Sequence, residues 1–252
     1  MLLRPLRADP RAPLGRANPL AKLGAAAIAM LVLFLSVDPL TPLLFLGAIA
    51  VAIGLSGIPL RGLVARSSPL LVAAAGAAVV NGLFGTGGPS VYAAVATGLR
   101  VIAIAFAGIV AFVTIDPTDL ADALIQHLHA SPRFAVGALA AFRLLPLFAT
   151  EWETIGLARR ARGLDDGGGP IARLWAFRER SFTLLVAAIR RGVRLARAMD
   201  ARGFAAMTCR TVARPQPFTS RDGALVLAAT AFAMVTIVAG HALGTWRGLL
   251  LQ

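Results

Sequence analysis

Lysine, cysteine and acidic residues are the scarce residues of this sequence. Its 252 residues include one lysine (Lys22), one cysteine (Cys209) and 12 acidic residues, against 25 basic residues that are otherwise all arginine. A single cysteine excludes an intramolecular disulfide and a cysteine-based metal cluster. The chain also has no GxxxxGK[ST] loop, and its lysine directly precedes an apolar run, so it cannot cradle nucleotide phosphates as a P-loop ATPase does.

Charged residues are few in this sequence, and hydrophobic residues are correspondingly abundant. Charged residues make up 15% of the chain, hydrophobic residues 58%, and the mean hydropathy is +0.76. Soluble domains carry about 25% charged residues, which cover their cores. Here the apolar residues form long uninterrupted runs, for which lipid is the expected covering. The sequence predicts an all-α polytopic integral membrane protein with about five to six membrane helices and two long cytoplasmic helices.

Five apolar runs are the candidates for membrane helices. They are Leu23–Val37, Leu40–Ile58, Leu70–Phe84, Val91–Ile115 and Ala224–Leu243. The turn residues Asp38-Pro39 between the first two predict a tight helical hairpin. A sixth run, Ala135–Ala149, is short and contains Arg143 and Pro146. Whether it crosses the membrane stays open.

The positions of the basic residues predict the orientation of the chain. Arginines are concentrated before the first run and after the second, whereas the loop after Phe84 is uncharged. Because basic residues flank the cytoplasmic ends of membrane helices, we expect the N-terminus and the stretch Glu151–Asp222 to lie in the cytoplasm. No clear cleavage site ends the first run, so we expect the first helix to stay in the membrane.

The stretch Glu151–Asp222 holds 14 arginines and 7 acidic residues, a net charge of +7. The breaker Gly167-Gly168-Gly169-Pro170 predicts two helices here, Glu151–Arg162 and Ile171–Arg202. The second helix is amphipathic. Its apolar stripe consists of Phe182, Leu185, Ile189, Val193, Ala196 and Met199, and its basic face of Arg190, Arg194 and Arg197. A face resting on solvent or anionic lipid and a face docking onto an acidic partner both fit this pattern.

The tripeptide Ala-Arg-Gly occurs twice in this stretch, each time at the end of a predicted helix. The first motif is Ala161-Arg162-Gly163 and the second motif is Ala201-Arg202-Gly203. Glycine is the expected helix-terminating residue. Each motif therefore predicts an arginine at an exposed helix tip, between two very small side chains. Such an arginine can enter a groove and form bidentate bonds with a carboxylate.

Further segments accompany the two motifs. They are Asn18-Pro19-Leu20-Ala21-Lys22-Leu23, Asp116-Pro117-Thr118-Asp119-Leu120, Phe142-Arg143-Leu144-Leu145-Pro146-Leu147, and the residues that follow or flank each motif, Leu164-Asp165 and Ala198-Met199-Asp200 with Phe204. With these segments the chain resembles the T component, the transmembrane coupling subunit, of energy-coupling-factor transporters, which import vitamins and transition-metal ions. The resemblance runs from near the N-terminus to about Arg214, and the paired motifs are its specific part.

The resemblance implies a non-catalytic subunit of a prokaryotic cell-membrane importer that needs no cofactor or metal of its own. Its partners would be two cytoplasmic ABC ATPases, on which ATP is hydrolysed, and a membrane-embedded S component that captures the substrate; no nucleic acid is implied. Arg162 and Arg202 would each anchor one ATPase. The neighbouring residues Ala161, Gly163, Ala201 and Gly203 would provide clearance.

The same resemblance implies three parts of the chain. They are an N-terminal membrane helix bundle over 1–134, a cytoplasmic coupling-helix region over 135–222 and a C-terminal membrane helix over 223–252. The transported substrate is not encoded here, because another chain would recognise it.

Functions of other classes fit the sequence less well. A membrane-embedded enzyme needs paired carboxylates, histidine clusters or an activated nucleophile at membrane depth, and the five runs contain almost no ionisable residue besides Arg100. A channel or secondary transporter would carry polar residues or broken helices at the midplane. A nucleic-acid-binding protein would interleave aromatic residues with its basic ones. The alternatives that remain are a membrane-embedded channel or secondary transporter and a membrane-anchored protein with a basic, lipid-facing cytoplasmic surface.

A few ionisable residues are candidate sites of other kinds. His127 and His129 lie two residues apart and point to different faces of a helix, so a solvated helix end is favoured over a metal site. The pair Asp165-Asp166 lacks a second acidic cluster and predicts a turn. Arg100 lies inside an apolar run, where a structural role facing the bundle or an interface is favoured.

Overall fold

The structure is a computed structural model that describes residues 12–57, 60–85, 88–164, 169–204, 212 and 214–242, without the side chains of 60–66. Helices make up 83% of the described residues, which contain no β-strand. The helices are α1 (Pro19–Leu35), α2 (Leu40–Ser56), α3 (Leu60–Phe84), α4 (Val91–Thr114), α5 (Pro117–His127), α6 (Pro132–Ala161), α7 (Pro170–Ala201) and α8 (Ser220–Ala242). Outside the described residues lie Asp165-Asp166, Gly167-Gly168, Cys209, the arginines before residue 12 and the side chains of Arg61 and Arg66.

Four of the described helices are long and apolar enough to cross a membrane: residues 67–84 of α3, and all of α4, α6 and α8. The apolar helices α1 and α2 have 17 residues each. At about 1.5 Å per residue each is roughly 25 Å long, slightly less than the ~30 Å hydrocarbon core of a bilayer. The prediction of an all-α polytopic membrane protein is confirmed.

Three boundaries differ from the sequence prediction. Helix α6 is continuous from Pro132 to Ala161, so the division into a run at 135–149 and a separate helix from Glu151 is wrong. Helix α3 begins at Leu60 and contains Pro69, whereas the predicted run began at Leu70. In both cases a proline was treated as a boundary, although it removes only one backbone hydrogen bond, which apolar membrane helices tolerate.

The third difference is α5, of which only a solvated helix end around His127 and His129 was predicted. It has 11 residues and is capped by Asp116, whose side chain accepts a hydrogen bond from the Thr118 amide at 2.8 Å. Proline at its first position fits the start of a helix. Its motif Asp-Pro-Thr-Asp is therefore a helix-capping sequence.

The chain divides into two compact units, residues 1–129 with 216–252, and residues 130–215. The first unit contains α1 to α5 and α8, and the second contains α6 and α7. The predicted three-part division at 134/135 and 222/223 stays a prediction.

The core of the first unit lies between α1, α2, α4 and α8. Leu33 and Ala103 are fully buried there. Phe45 of α2 and Phe232 of α8 pack edge to face, with 5.2 Å between ring centroids. Edge-to-face aromatic pairs stabilise a core beyond the area they bury.

Small residues hold α3 against α4. A Cβ atom placed on Gly82 would lie 2.7 Å from the Cβ atom of Ala94, and one on Gly98 would lie 3.2 Å from that of Ala78. The backbones therefore approach more closely than larger side chains would permit. This is the usual way in which membrane helices pack, because lipid offers them no hydrophobic driving force.

A buried polar cluster joins the first residues of α1 and α8. The Asn18 amide donates to Asp222 Oδ1 at 2.6 Å, and the Thr219 amide and hydroxyl donate to Asp222 Oδ2 at 2.8 and 2.7 Å. Asn18 in turn accepts from the Leu20 amide at 3.0 Å and caps α1. One carboxylate thus satisfies unpaired amides at two helix starts.

Hydrogen bonds of Lys22 and Gln216 extend these contacts to α4 and α5. Lys22 Nζ donates to the carbonyls of Gly15 at 3.0 Å and Thr114 at 2.9 Å. Gln216 donates its amide to Gln126 Oε1 and its Nε2 to Asp119 Oδ1, at 2.9 and 3.1 Å, and its carbonyl accepts from Asn18 Nδ2 at 3.3 Å. These contacts tie the starts of α1 and α8 to the end of α4 and to α5.

Arg100 has a structural partner at the opposite end of α1. Its guanidinium donates to the carbonyl of Ser36 at 2.6 Å, and Ser36 is the residue that ends α1. In the same turn, fully buried Asp38 accepts from the Ser36 hydroxyl and from the Thr41 amide and hydroxyl. Arg100 thus satisfies a carbonyl that the end of the helix leaves without a helical partner.

Gly82→Ala should destabilise the first unit, because the new methyl group would overlap Ala94. Overpacking of this kind costs roughly 1–3 kcal/mol. We expect a lower melting temperature in detergent, followed by the temperature dependence of circular dichroism. Gly76→Ala on the same helix is the control, because nothing lies within 4 Å of its new Cβ atom. Equal melting temperatures for the two variants would contradict the tight α3–α4 contact.

Asp222→Ala should destabilise the first unit more strongly. It would leave the Asn18 amide and both Thr219 donors without their acceptor, at a cost of about 3 kcal/mol. The same thermal measurement tests this, with Asp122→Ala as control. Asp122 is half-buried on α5 and has no hydrogen-bond partner among the described residues. If both variants melt like the wild type, the carboxylate does not hold the two helices together.

Candidate functional site

Helices α6 and α7 form an antiparallel pair through a few polar and aromatic contacts. Arg159 binds Glu179 at 2.8 Å, and Arg191 binds Glu151 at 3.0 Å. Between these ion pairs, Gly156 faces the Arg180 guanidinium, since a Cβ atom there would lie 3.1 Å from Nη1. The ion pairs therefore fix which parts of the two helices lie side by side.

The first motif ends α6 in a Schellman turn. The amide of Gly163 donates to the carbonyl of Arg160 at 2.9 Å, and the amide of Leu164 donates to that of Arg159 at 3.1 Å. Gly163 has a φ of 69°, the left-handed conformation that this turn requires. Arg162 is the last residue before it, with φ −93° and ψ 3°.

The second motif ends α7 in the same way. The amide of Gly203 donates to the carbonyl of Asp200 at 2.9 Å, and that of Phe204 donates to Met199 at 3.1 Å. Gly203 has a φ of 75°, and Arg202 has φ −89° and ψ 13°. The two motifs thus repeat one backbone structure, with a large apolar residue directly after each glycine.

The glycine of the second motif is explained by its backbone conformation. Nothing in the chain lies within 4 Å of a Cβ atom placed on Gly203, so no neighbour excludes a side chain. A positive φ is costly for any other residue. That these glycines also provide clearance for a partner stays a prediction.

Both motif arginines are exposed and have no ion-pair partner among the described residues. Ala161, Arg162, Ala201 and Arg202 are all exposed. Among the described residues, neither Arg162 nor Arg202 has a carboxylate or carbonyl partner, whereas Arg159 and Arg191 on the same helices form ion pairs. The helix pair therefore uses some of its arginines internally and presents these two to its surroundings.

The two motifs lie in opposite directions from the place where Gly156 of α6 faces Arg180 of α7. Arg162 follows Gly156 by six residues, and Arg202 follows Arg180 by 22 residues along the antiparallel partner. At about 1.5 Å per residue these stretches are roughly 9 and 33 Å long. The separation is large enough for each arginine to meet a different protein.

The predicted apolar stripe of α7 is uncovered. Phe182, Leu185, Ile189 and Val193 are 67, 56, 56 and 45% exposed, and none of the residues of α7 is buried. Apolar surface that continues over several turns marks a contact with protein or membrane. Arg190, Arg194 and Arg197 are exposed on the other face.

The sequence analysis missed a second exposed apolar group at the start of α7. Leu174, Trp175 and Phe177 are 68, 51 and 58% exposed. Arg178 lies over the Trp175 ring at 4.2 Å, and Phe177 packs against Trp152 at 5.4 Å between centroids. The large apolar residues at 171, 174 and 175, spaced as on one helix face, were the signal that could have revealed it.

The other candidate residues take structural positions. His127 contacts the Gln216 carbonyl through Nε2 at 2.7 Å and packs against the Phe218 ring. His129 has a φ of 51° just after α5. Within the described ranges, no three histidine, cysteine or acidic residues are grouped as they would be around a metal ion.

Comparison with known proteins identifies similar chains. The family model of CbiQ, cobalt transport protein, matches residues 10–211. The energy-coupling factor transporter transmembrane protein EcfT of Limosilactobacillus fermentum is 30% identical over 212 residues, which cover 76% of this chain and 79% of that protein. The protein of the same name from Exiguobacterium sibiricum is 33% identical over 132 residues, 49% of this chain; there the match spans 50% of the relative's length.

Gly203→Ala should loosen the end of α7, because alanine at positive φ costs about 1–2 kcal/mol. We expect amide hydrogens of the last turn to exchange about tenfold faster, measured by mass spectrometry. Gly192→Ala is the matched control. Gly192 also has nothing within 4 Å of its Cβ position, but it lies inside the helix, where alanine should slow exchange. The same effect at both positions would contradict the conformational explanation.

Proposed function

The chain belongs to the CbiQ family of cobalt transport proteins, and on that basis we propose that it is the coupling subunit of an energy-coupling-factor importer. In this proposal it transmits the ATP-driven motion of two cytoplasmic ATPases to a membrane-embedded S component. The observation that carries the proposal is the repeated Schellman turn at the ends of α6 and α7, which presents an unpaired arginine each time. The relatives bear the name of transmembrane proteins of energy-coupling factor transporters.

Each motif arginine anchors one ATPase in this proposal. A guanidinium offers five donors in a planar fork that fits a carboxylate with two parallel hydrogen bonds. Arg162 and Arg202 form no ion pair with a described residue, so entering an acidic groove breaks no such contact, and the adjacent alanine leaves the groove unobstructed. Two copies on separate helices match two copies of an ATPase.

The apolar stripe of α7 supports the same proposal. Charged contacts at a helix tip give orientation, whereas an apolar face that becomes buried supplies binding free energy. Phe182, Leu185 and Ile189 provide such a face over about two turns. The ATPases or the S component would cover it, because a soluble cytoplasmic environment alone leaves it exposed to water.

The orientation and the division of labour follow from the charges. The basic ends of the membrane helices and the unit containing both motifs would lie in the cytoplasm, where ATPases are found. ATP hydrolysis takes place on those partners, since this chain has no P-loop. The S component takes the substrate, a vitamin or a transition-metal ion, so substrate choice resides outside this chain.

Replacing both arginines, Arg162→Glu/Arg202→Glu, should abolish ATPase docking, because each charge reversal turns attraction into repulsion. A charge-assisted contact contributes about 1.5–3 kcal/mol, so each single variant should weaken ATPase recovery about tenfold or more. We would purify the tagged chain from its native membranes and quantify the ATPases and the small membrane partner by mass spectrometry. We expect the double variant to lose both ATPases and retain the membrane partner.

The matched control is Arg160→Glu/Arg197→Glu, which reverses the same charge at exposed arginines on the same helices. It should retain the ATPases. Loss of ATPases from both double variants would indicate a non-specific effect of charge. If the wild-type chain recovers no ATPase in mild detergent, the coupling proposal is wrong, and a lipid-facing basic surface becomes the better explanation.

A further inference from the structure

An apolar cleft lies inside the first unit, between halves of α1, α2, α4 and α8. Its volume is about 390 Å³, and nine of the 17 residues that line it are alanines. The lining residues of α1 extend from Lys22 to Ala29 and those of α8 from Leu225 to Phe232. The Phe45–Phe232 ring pair lies at one end. The cleft is therefore a slot roughly 10 Å long, at about 1.5 Å of rise per residue.

A second groove, which has basic residues in its lining, adjoins the other end of the cleft. Its volume is about 670 Å³, and it shares Leu14 and Leu225 with the cleft. Two arginines are among its lining residues, Arg16 before α1 and Arg221 at the start of α8, together with Thr219 and Ser220. The two spaces are therefore adjacent, and the basic residues belong to the lining of the groove.

The positive charge of the groove is not neutralised within the described part of the chain. Arg16 and Arg221 are exposed, and neither forms an ion pair or a side-chain hydrogen bond with a described residue. Asp222 is the acidic residue in the lining. Its oxygens accept from Asn18 and Thr219, and it is only 2% exposed. The carboxylate oxygens of Asp222 are therefore engaged inside the protein and do not face a ligand in the groove.

The small side chains that line the cleft are not accompanied by close packing of the helix backbones. Between α3 and α4, small residues bring backbones into close contact, as at Gly82 and Gly98. Between α1, α2, α4 and α8, alanines such as Ala48, Ala52 and Ala229 border open space instead. An unfilled apolar space costs stability. In a membrane, the abundant apolar molecule that can fill it is a lipid chain.

We infer that this site binds an anionic phospholipid. The phosphate group lies in the groove between Arg16 and Arg221, and one acyl chain enters the alanine-lined cleft as far as Phe45 and Phe232. Guanidinium groups bind phosphate oxygens through paired hydrogen bonds. Basic pockets at the ends of membrane helices are known to hold anionic head groups.

Because the two spaces are adjacent, a whole phospholipid fits them better than inorganic phosphate alone or an acyl chain alone. Inorganic phosphate would occupy the groove and leave the cleft empty. A neutral lipid or detergent would fill the cleft and leave two arginines unpaired. An anionic phospholipid pairs with the two arginines and also fills the apolar cleft. Because this site lies within the first unit, the inference does not depend on the docking of α6 and α7.

Native mass spectrometry of the delipidated full-length chain in detergent tests the inference. The probes are dioleoyl-phosphatidylglycerol, dioleoyl-phosphatidylcholine and inorganic phosphate, each titrated separately. We expect one molecule of phosphatidylglycerol to bind about tenfold more tightly than phosphatidylcholine, since two unpaired arginines meet its phosphate without an accompanying cation. Equal affinity for both lipids, or binding of phosphate at the concentration that saturates with phosphatidylglycerol, would overturn the inference.

Variants separate the two ends of the site. Arg16→Gln/Arg221→Gln should remove the preference for phosphatidylglycerol, while Arg173→Gln/Arg190→Gln, with the same loss of charge on α7, should keep it. Ala229→Phe should fill the cleft and abolish binding of both lipids. Ala231→Phe, on the exposed side of the same helix, should bind like the wild type, and it controls for folding. Unchanged lipid binding by Ala229→Phe or by the groove variant would also overturn the inference.

Discussion

Unpaired peptide groups at helix ends are the constraint that organises this protein. In a lipid environment no water reaches the first amides and last carbonyls of a helix, so the chain itself must bind them. Asp222 and Asn18 satisfy the starts of α8 and α1, Arg100 satisfies the end of α1, and Lys22 binds the last carbonyl of α4. With few polar residues available, the chain places them where backbone groups have no partner. The same requirement, met by glycine and backbone amides alone, shapes both Ala-Arg-Gly motifs.

The two methods of closing a helix have different consequences for function. Where a side chain caps the helix, as at Asp222, that side chain becomes buried and unavailable. Where a Schellman turn closes it, as at Gly163 and Gly203, the amides of the glycine and of the next residue donate to the last carbonyls of the helix. The side chains of Arg162 and Arg202 are then not needed to cap their helices. Their guanidinium groups remain exposed, which is what an anchoring residue requires.

Much of this arrangement could be predicted from the sequence, and the failures have physical causes. The apolar runs located α1, α2, α4 and α8 within a few residues, and Ala-Arg-Gly correctly predicted two glycine-terminated helix ends. Pro146 was taken to interrupt a helix because proline usually does so, yet the loss of one hydrogen bond did not outweigh the helical preference of its neighbours. The partner of Arg100 could not be predicted, because Ser36 lies 64 residues away and only the packing of α1 against α4 brings them together. The lipid-sized cleft was equally hidden, since alanine-rich helices more often predict close contact than space.

The continuity of α6 gives the chain a mechanical property. A 30-residue helix is a rod of about 45 Å, and hydrogen-bonded helices resist bending far more than loops do. In the proposed coupling role, a displacement of Arg162 would be carried along this helix rather than absorbed by a loop. Pro146 lies near the middle, where one missing hydrogen bond makes the rod locally more compliant. If the chain couples ATPases to a membrane partner as proposed, α6 would bend preferentially near Pro146, and the stiffness of this one helix would limit how far its apolar half moves.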